Sequence, residues 1–511
     1  MKSLTVLQAC YVFLIEGLKI LCGFCLILGG IITVLLSIPG YTYRFFLSRI
    51  ASRYYSATLG KIVDAPATLF AVEFLPSFRH LSPKCVIVTT MVADGKWSVN
   101  ETRKLIEERW VSFSDYPELK QYVERWNGFL FWKNDLNFSI ENHVRSHELE
   151  GHSDSEFDEN QRQFVRNLLN KPFHPKRSPW EWFVIKNYKN ASLEKESEHG
   201  EMTLNIFRFH HCLGDGYSFA RALMEKLIET PFETPFDKLP PSQPSAFWSK
   251  DTFLAALYLP LQFSLDMRNV FELFYASQLY TRKTPLHALD EEDSLNYKKH
   301  AVCIPIKRIK EIKKKLGVSF TGVLLAALSA GITKLLQKKN KTNEVTKTVK
   351  LFVVLPLPGR PTKLQNHLTA TYIELPTIPN MHPVDRVGNI ETELKHARQN
   401  TLPLMYPLLV QAFGSLLPSL AAFLLKIRFS SVGLSNFPGP PGQVRYNGRK
   451  CLMADFISGT LVGTIGVYIH LCSYEGQVRI ATTFGKKCLD VIEADVMMRS
   501  IVDEINILYE L

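Results

Sequence analysis

Apolar runs with a two-residue period alternate with runs of helical period along most of this chain. "KCVIVTTMV" (84–92) reads as a strand and "NETRKLIEERWVS" (100–112) as a helix. "SDSEFDENQRQFVRNLLN" opens on Ser and Asp, carries acids in its first turn and continues with helical spacing. "EWFVIKNY" (181–188) and "TLNIFRF" (203–209) read as strands, and "YSFARALMEKLI" (217–228) as the helix that follows. Residues 229–251 hold five prolines between Pro231 and Pro244 and read as a linker. Beyond it the alternation resumes. "HAVCIPI" predicts a strand, "FTGVLLAALSAGITKLLQ" a helix, "KKNKTNEVTK" a solvated basic loop and "TVKLFVVLPL" a buried strand. "GTIGVYIHLCSYEGQVRIATTF" predicts a hairpin turning at Glu475-Gly476, and the last helix is expected near 490–509. The pattern is that of two α/β blocks, with no internal sequence repeat.

Two stretches break it. Ile20 to Ile38 is 19 residues without a charge, the length that crosses a bilayer core. A signal peptide would have a shorter apolar region and a small-x-small cleavage site, and none follows. Arg44, Arg49, Arg53 and Lys61 come before the first downstream acid, Asp64, which puts that flank on the cytosolic side. The apolar stretch Leu4–Leu18 also allows a hairpin with both ends cytosolic. The second stretch, Leu402–Leu425, is uncharged too, but Pro403, Pro407, Gly414 and Pro418 interrupt it. It reads as a buried or membrane-resting helical pair, with a second span as the alternative.

With 511 residues the chain exceeds one ordinary core, so two domains or one two-lobed enzyme is expected. A net charge of +11 suits an anionic partner such as a membrane surface or a phosphate-bearing cosubstrate. No zinc-finger, RNP-like or basic-helix pattern supports nucleic acid. The nine cysteines are odd in number and scattered, as expected of reduced thiols facing the cytosol. Cys22 and Cys25 form C-G-F-C, but within an apolar run no thiolate forms, and they read as small apolar residues of a membrane helix.

The candidate chemistry lies in "FRFHHCLGDGYSF" (207–219), where His210 and His211 sit between a strand and a helix. A metal site would need a third ligand and a helix through Gly214 and Gly216, so no metal is expected. A Ser-His-Asp triad lacks its G-x-S-x-G elbow, and Cys212, adjacent to His211, diverges from it too far to pair. Two readings remain on the pair alone: packed, hydrogen-bonded turn histidines, or a lone histidine base. Acyl transfer from a thioester to an alcohol needs only the latter, because the thioester is already activated. Asp215 would fix the turn, and the glycines would let backbone and substrate approach.

"HHCLGDG" has the H-H-x-x-x-D-G form of the CoA-dependent acyltransferase and condensation-domain superfamily. Its surroundings resemble the wax ester synthase/diacylglycerol acyltransferase family: "VDAPATLF" (63–70), "DLNFSIENHVR" (135–145), "SPWEWFVI" (178–185), "LPLPGR" (355–360), Gln365-Asn366, "LSNFPGPPG" (434–442) and "SYEG" (473–476), in the family's order. Two departures stand out. Thr321-Gly322 replaces the family's frequent Asn-Asp, and Gln365 replaces a usual glycine.

The resemblance implies an α/β fold of two chloramphenicol-acetyltransferase-like lobes with a tunnel between them, preceded here by an N-terminal transmembrane helix. It implies His211 as general base, His210, Asp215 and Gly216 as support for the turn, and Ser435 and Asn436 as substrate-positioning residues. For Asn436 a purely turn-forming role stands equally. It implies no bound cofactor, with acyl-CoA as cosubstrate, a lipid alcohol (long-chain alcohol or diacylglycerol) as acceptor, and the bilayer as partner. The expected layout is an anchor with basic flank (1–60), a first lobe (61–230), a linker and crossover (231–298) and a second lobe (299–511). The expected location is a membrane, single-pass or hairpin, at the endoplasmic reticulum with a cytosolic catalytic region; plasma membrane and lipid droplet are alternatives. The competing functions are a non-catalytic lipid-binding or lipid-transfer protein using the same tunnel, and a condensation enzyme with an amine acceptor.

Overall fold

The computed structural model describes residues 21, 28, 35, 38–75, 85–113, 115–151, 153–229, 286, 294–299, 303–339, 347–357, 363–424, 432–459 and 465–511. Their strands form three sheets. The first has six strands in the order Arg445–Tyr446, Arg449–Ser458, Val86–Asp94, Met202–His210, Trp180–Ile185 and Val144–Ser146. All nine residues of Met202–His210 are buried. Leu204 and Ile206 pack with Phe157 and Leu168 on one face, while Phe207 and Phe209 pack with Trp110, Trp182 and Phe219 on the other. The strand is covered on both faces, and its polar residues Thr203, Asn205, Arg208 and His210 are buried along with the apolar ones.

The second sheet runs Leu368–Pro376, Thr348–Pro356, Val432–Pro438, Val467–Tyr474, Gln477–Gly485 and Leu295–Lys299, with Ile304–Pro305 pairing beside the fifth strand. Helices Phe320–Lys339 and Val491–Glu510 close its core. The hairpin turns at Glu475 and Gly476, both at positive φ (48° and 73°). A third, three-stranded sheet joins Leu59–Ile62, Phe129–Asn134 and Gln121–Trp126. Its hairpin turns on Asn127 and Gly128 at φ 45° and 89°. This sheet is absent from the expectations above, although Asn-Gly is a strong hairpin signal.

The structure corrects several expectations. The boundary at residue 299 does not separate the lobes. Arg449–Ser458 leaves the second lobe and pairs antiparallel with Val86–Asp94 in the first sheet, Phe456 opposite Thr89. Leu295–Lys299, all but its last residue placed in the linker, is a strand of the second sheet, paired antiparallel with Gln477–Gly485 and with Leu295 and Tyr297 buried. Of the strand expected over 300–306, the described part is the two-residue pairing at Ile304–Pro305. The helix expected over 100–112 is an α-helix to Ile106 followed by a π-turn, Glu107–Val111.

The expected transmembrane helix at 20–38 lies almost wholly outside the described residues; Leu21, Leu28 and Leu35 are helical and exposed. Among the described residues one helix has the length and apolarity to span a bilayer, Phe320–Lys339, and it is buried in the second lobe's core. The fold therefore lends the N-terminal span no support. Leu402–Gly414 and Pro418–Leu424 form a broken helical pair.

Candidate active site

The Met202–His210 strand delivers the histidine turn. His211 N–H donates to the Cys85 carbonyl (2.8 Å), and Leu213 and Gly214 N–H groups donate back to the carbonyls of His210 (3.1 Å) and His211 (3.3 Å). Asp215 then starts the helix Gly216–Lys226, its Oδ1 accepting the Ser218 N–H (2.7 Å) as an N-cap does. Its Oδ2 accepts the His367 N–H (2.8 Å), and its own N–H donates to the Gln365 carbonyl (3.2 Å). Asp215 thus ties the turn to residues 365–367 of the other lobe. Both of its oxygens accept backbone N–H groups, which fixes the turn. Gly214 permits this closeness, since a Cβ there would stand 3.1 Å from Gln365 N and 2.5 Å from Ser218 Oγ. Gly216 has open space beside it and borders the cavity, so its bareness serves access, not packing.

His211 is held from three sides. Phe70 stacks on its ring, centroids 4.2 Å apart at 15°. Phe70 comes from "VDAPATLF", which forms the helix Ala65–Ala71, N-capped by Asp64 through Ala67 N–H (2.7 Å). Asn366 makes two bonds: its Nδ2 donates to the His211 carbonyl (2.9 Å), and its Oδ1 lies 2.7 Å from His211 Nδ1. The first bond orients the amide, because only the nitrogen can donate to a carbonyl. Oδ1 must then face the ring, so Nδ1 carries the proton and the lone pair is on Nε2. Burial lowers the His211 pKa below the ordinary 6.5, against opposing pulls from Asp215 and Asn366. The imidazole is therefore neutral near pH 7, in the tautomer that a base using Nε2 requires.

His210 is fully buried behind the turn. The Cys212 N–H donates to its Nδ1 (3.2 Å), so Nε2 bears hydrogen and donates to Glu73 Oε2 (3.0 Å). Cys212 and Cys85 are buried, and burial with the nearby Glu73 raises both thiols well above 9. Neither offers a thiolate.

The His211 ring lines a cavity of about 740 Å³ between the two large sheets, walled by Phe70, Phe207, Phe352, Tyr406 and Phe413 among others. That is within the usual range for a small-molecule pocket, and its lining is mostly apolar. Ser435 and Asn436 lie on the Val432–Pro438 strand and also line it. The Asn436 carbonyl accepts the Tyr217 hydroxyl (3.0 Å), joining that strand to the helix after the histidine turn. Two features had no motif to announce them. Asn366 stands 155 positions from its partner His211. Asp455, which lines the cavity, is paired with Lys299 Nζ (2.7 Å) and bonded to Thr90 Oγ1. These three residues stand on three strands, far apart in sequence.

Residues 364–508 match the family model described as the WS/DGAT C-terminal domain. Over this stretch the chain is similar to the C-terminal domain of the WS/DGAT family. The chain is also 23% identical over 282 residues to wax ester synthase/diacylglycerol acyltransferase 3 of Arabidopsis thaliana; the match spans 54% of this chain and about half, 55%, of the plant protein. Among solved structures, the wax ester synthase/diacylglycerol acyltransferase from Marinobacter aquaeolei VT8 superposes with a TM-score of 0.58 at 17% identity, over 88% of this chain and 100% of that one. Trichothecene 15-O-acetyltransferase TRI3 from Fusarium sporotrichioides gives 0.59 at 12% identity, over 88% and 95%. The starter condensation domain of rhizomide synthetase RzmA, solved with C8-CoA, gives 0.54 at 12%, over 91% and 98%. At such identities the likeness is one of fold: an α/β fold resembling the CoA-dependent acyltransferase condensation domains.

The departure from the WS/DGAT pattern at Thr321-Gly322 has a local cause. Ser319 caps the Phe320–Lys339 helix through Gly322 N–H (2.9 Å), and its own N–H and hydroxyl donate to Glu391 Oε1 (2.8 and 2.6 Å). A Cβ on Gly322 would lie 1.9 Å from that oxygen. The pair is built around a helix cap, and neither residue lines the cavity.

Proposed function

We propose that the protein is a membrane-associated acyl-CoA:alcohol O-acyltransferase that esterifies a long-chain alcohol, diacylglycerol or both. The observation that carries this is the two-way bond of Asn366 to His211, which leaves a neutral Nε2 on a ring bordering a mostly apolar cavity. In this reading Nε2 takes the proton of the acceptor hydroxyl as its oxygen attacks the thioester carbonyl. The tetrahedral oxyanion collapses, the C–S bond breaks, and the imidazolium returns the proton to the CoA sulfur. The products are ester and CoASH, with no enzyme nucleophile and no metal in the balance. Ser435 and Asn436 are the groups placed to position substrate. His210 and Asp215 hold the turn without touching the reacting atoms.

The WS/DGAT match over residues 364–508 supports the acyl transfer, and the raised thiols of Cys85 and Cys212 argue against covalent catalysis. The cytosolic, endoplasmic reticulum location belongs to the same reading, because CoA phosphates cross bilayers poorly. The test is to incubate microsomes holding the full chain with labelled acyl-CoA and a panel of acceptors: long-chain alcohol, diacylglycerol, sterol and amine. Labelled wax ester or triacylglycerol, absent with His211→Ala, is the expected result. Labelled lipid bound without any ester would favour lipid carriage, and an amide product would favour a condensation enzyme.

A further inference from the structure

The helix Leu402–Gly414 has two apolar faces and no charged side. Tyr406, Leu409, Val410 and Phe413 line the His211 cavity. Leu404 and Leu408, one turn apart on the opposite side, are 66% and 62% exposed. Pro418–Leu424 continues it, with Leu417 and Leu420 each 45% exposed, and no charge occurs from 402 to 425. A surface helix of a water-soluble protein carries charge on its outer face; here that face holds Leu404, Leu408 and a single polar residue, Gln411, which suits contact with lipid.

The neighbouring surface says what covers it. Residues 38–54 are helical, and Ile38, Phe45, Phe46 and Tyr54 are exposed there beside Arg49 and Arg53. The Arg49 guanidinium lies 5.2 Å from the Phe45 ring centre. Exposed aromatics interleaved with arginines, in a chain of net charge +11, match the chemistry of an anionic lipid surface. The two regions are joined. Tyr41 hydroxyl donates to the Gln411 carbonyl (3.3 Å), and Tyr43 hydroxyl to the Asn127 carbonyl (3.4 Å), next to Gly128, over which Leu417 lies. Gln411 is exposed and also lines the cavity, so it stands at a rim.

We propose that the Leu402–Leu424 helical pair rests in the membrane interface beside residues 38–54, and that the acceptor lipid passes from the bilayer into the tunnel past Leu402–Gly414. The second half rests on the acyltransferase reading above. Docking is tested without turnover by placing full-length Leu408→Trp protein in phosphatidylcholine/phosphatidylserine vesicles containing brominated acyl chains. Extra tryptophan quenching over the wild-type protein is expected, and emission quenched no more than wild type overturns the docking. The route is tested with Leu404→Glu/Leu408→Glu, two side chains outside the cavity lining, assayed with one acyl-CoA and two acceptors. A drop of about tenfold or more in kcat/KM is expected for vesicle-held diacylglycerol or hexadecanol, with a water-soluble short alcohol unaffected. Equal loss with both acceptors, or no loss with either, overturns the route. A wild-type protein that makes no ester fails the acyltransferase reading, while the quenching still decides the docking.

Discussion

His210 and His211 are adjacent in the chain, yet their rings enter opposite surroundings. The pocket behind the turn uses both nitrogens of His210, one for Cys212 N–H and one for Glu73, and closes it with Phe74 and Phe173. The chamber in front uses Nδ1 of His211, through Asn366, and opens the ring to the cavity. The difference comes from backbone direction. His210 ends a buried strand whose side chains alternate between faces, so the next residue must emerge on the other side. Burial supports two unlike roles: a ring with both nitrogens bonded braces the turn, and a ring with one nitrogen bonded is aimed.

The largest effect should come from removing the aimed ring. His211→Ala is expected to lower ester formation by about 10²–10⁴-fold with little change in melting temperature; wild-type turnover in the purified variant would end the general-base reading. Asn366 comes next. Asn366→Ala frees the tautomer and should cost about 10–100-fold. Asn366→Asp places a carboxylate against Nδ1 and tests the aim by pH. In the wild type, neutral imidazole is the active form and burial lowers its pKa. The rate should therefore be full at pH 7 and fall only as pH drops through a value below 6.5. The aspartate favours the imidazolium, so the acidic limb of kcat/KM should move up by about one unit or more. An unmoved limb would mean that Asn366 does not act through the ring.

How far this contrast was legible before the fold follows from the range of each signal. The strand before the turn and the helix after it stand in the hydrophobic period, and the two glycines and Asp215 mark a turn between them. The cap on Ala65–Ala71 was legible in Asp64-Ala65-Pro66, but nothing in it says that Phe70 will meet an imidazole. The Asn127-Gly128 hairpin is legible in its Asn-Gly pair. The contact of Asn366 with His211, the Asp455–Lys299 pair and the crossing of Arg449–Ser458 into the first sheet were not. Each joins residues far apart in sequence, and periodicity carries no information about which strand becomes whose neighbour.

Asp215 sharpens the comparison from the side of the turn itself. Asp215→Asn keeps the shape but sets an NH₂ against one of the two backbone N–H groups, Ser218 or His367, that the carboxylate satisfies. A loss of about 1–3 kcal/mol is expected in denaturant unfolding, with activity falling in step as the lobes loosen around His211. A variant that unfolds like the wild type yet makes no ester would give Asp215 a chemical part instead.

The smallest effect on rate, and a clear one on stability, is expected at His210. In His210→Ala the Cys212 N–H loses its acceptor, Glu73 Oε2 loses the imidazole donor and keeps the Cys85 N–H (3.2 Å), and a cavity opens beside Phe74. Unmade buried hydrogen bonds and lost packing together cost about 2–4 kcal/mol. The ring of His211 keeps its own contacts, Asn366 on Nδ1 and Phe70 stacked on its face. Turnover per folded molecule, measured below the variant's melting temperature, should therefore stay within about tenfold of wild type. His210→Gln offers a side-chain amide to the same neighbours and should recover part of the stability. A His210→Ala enzyme as stable as wild type but as inactive as His211→Ala would reverse the assignment and put the chemistry behind the turn.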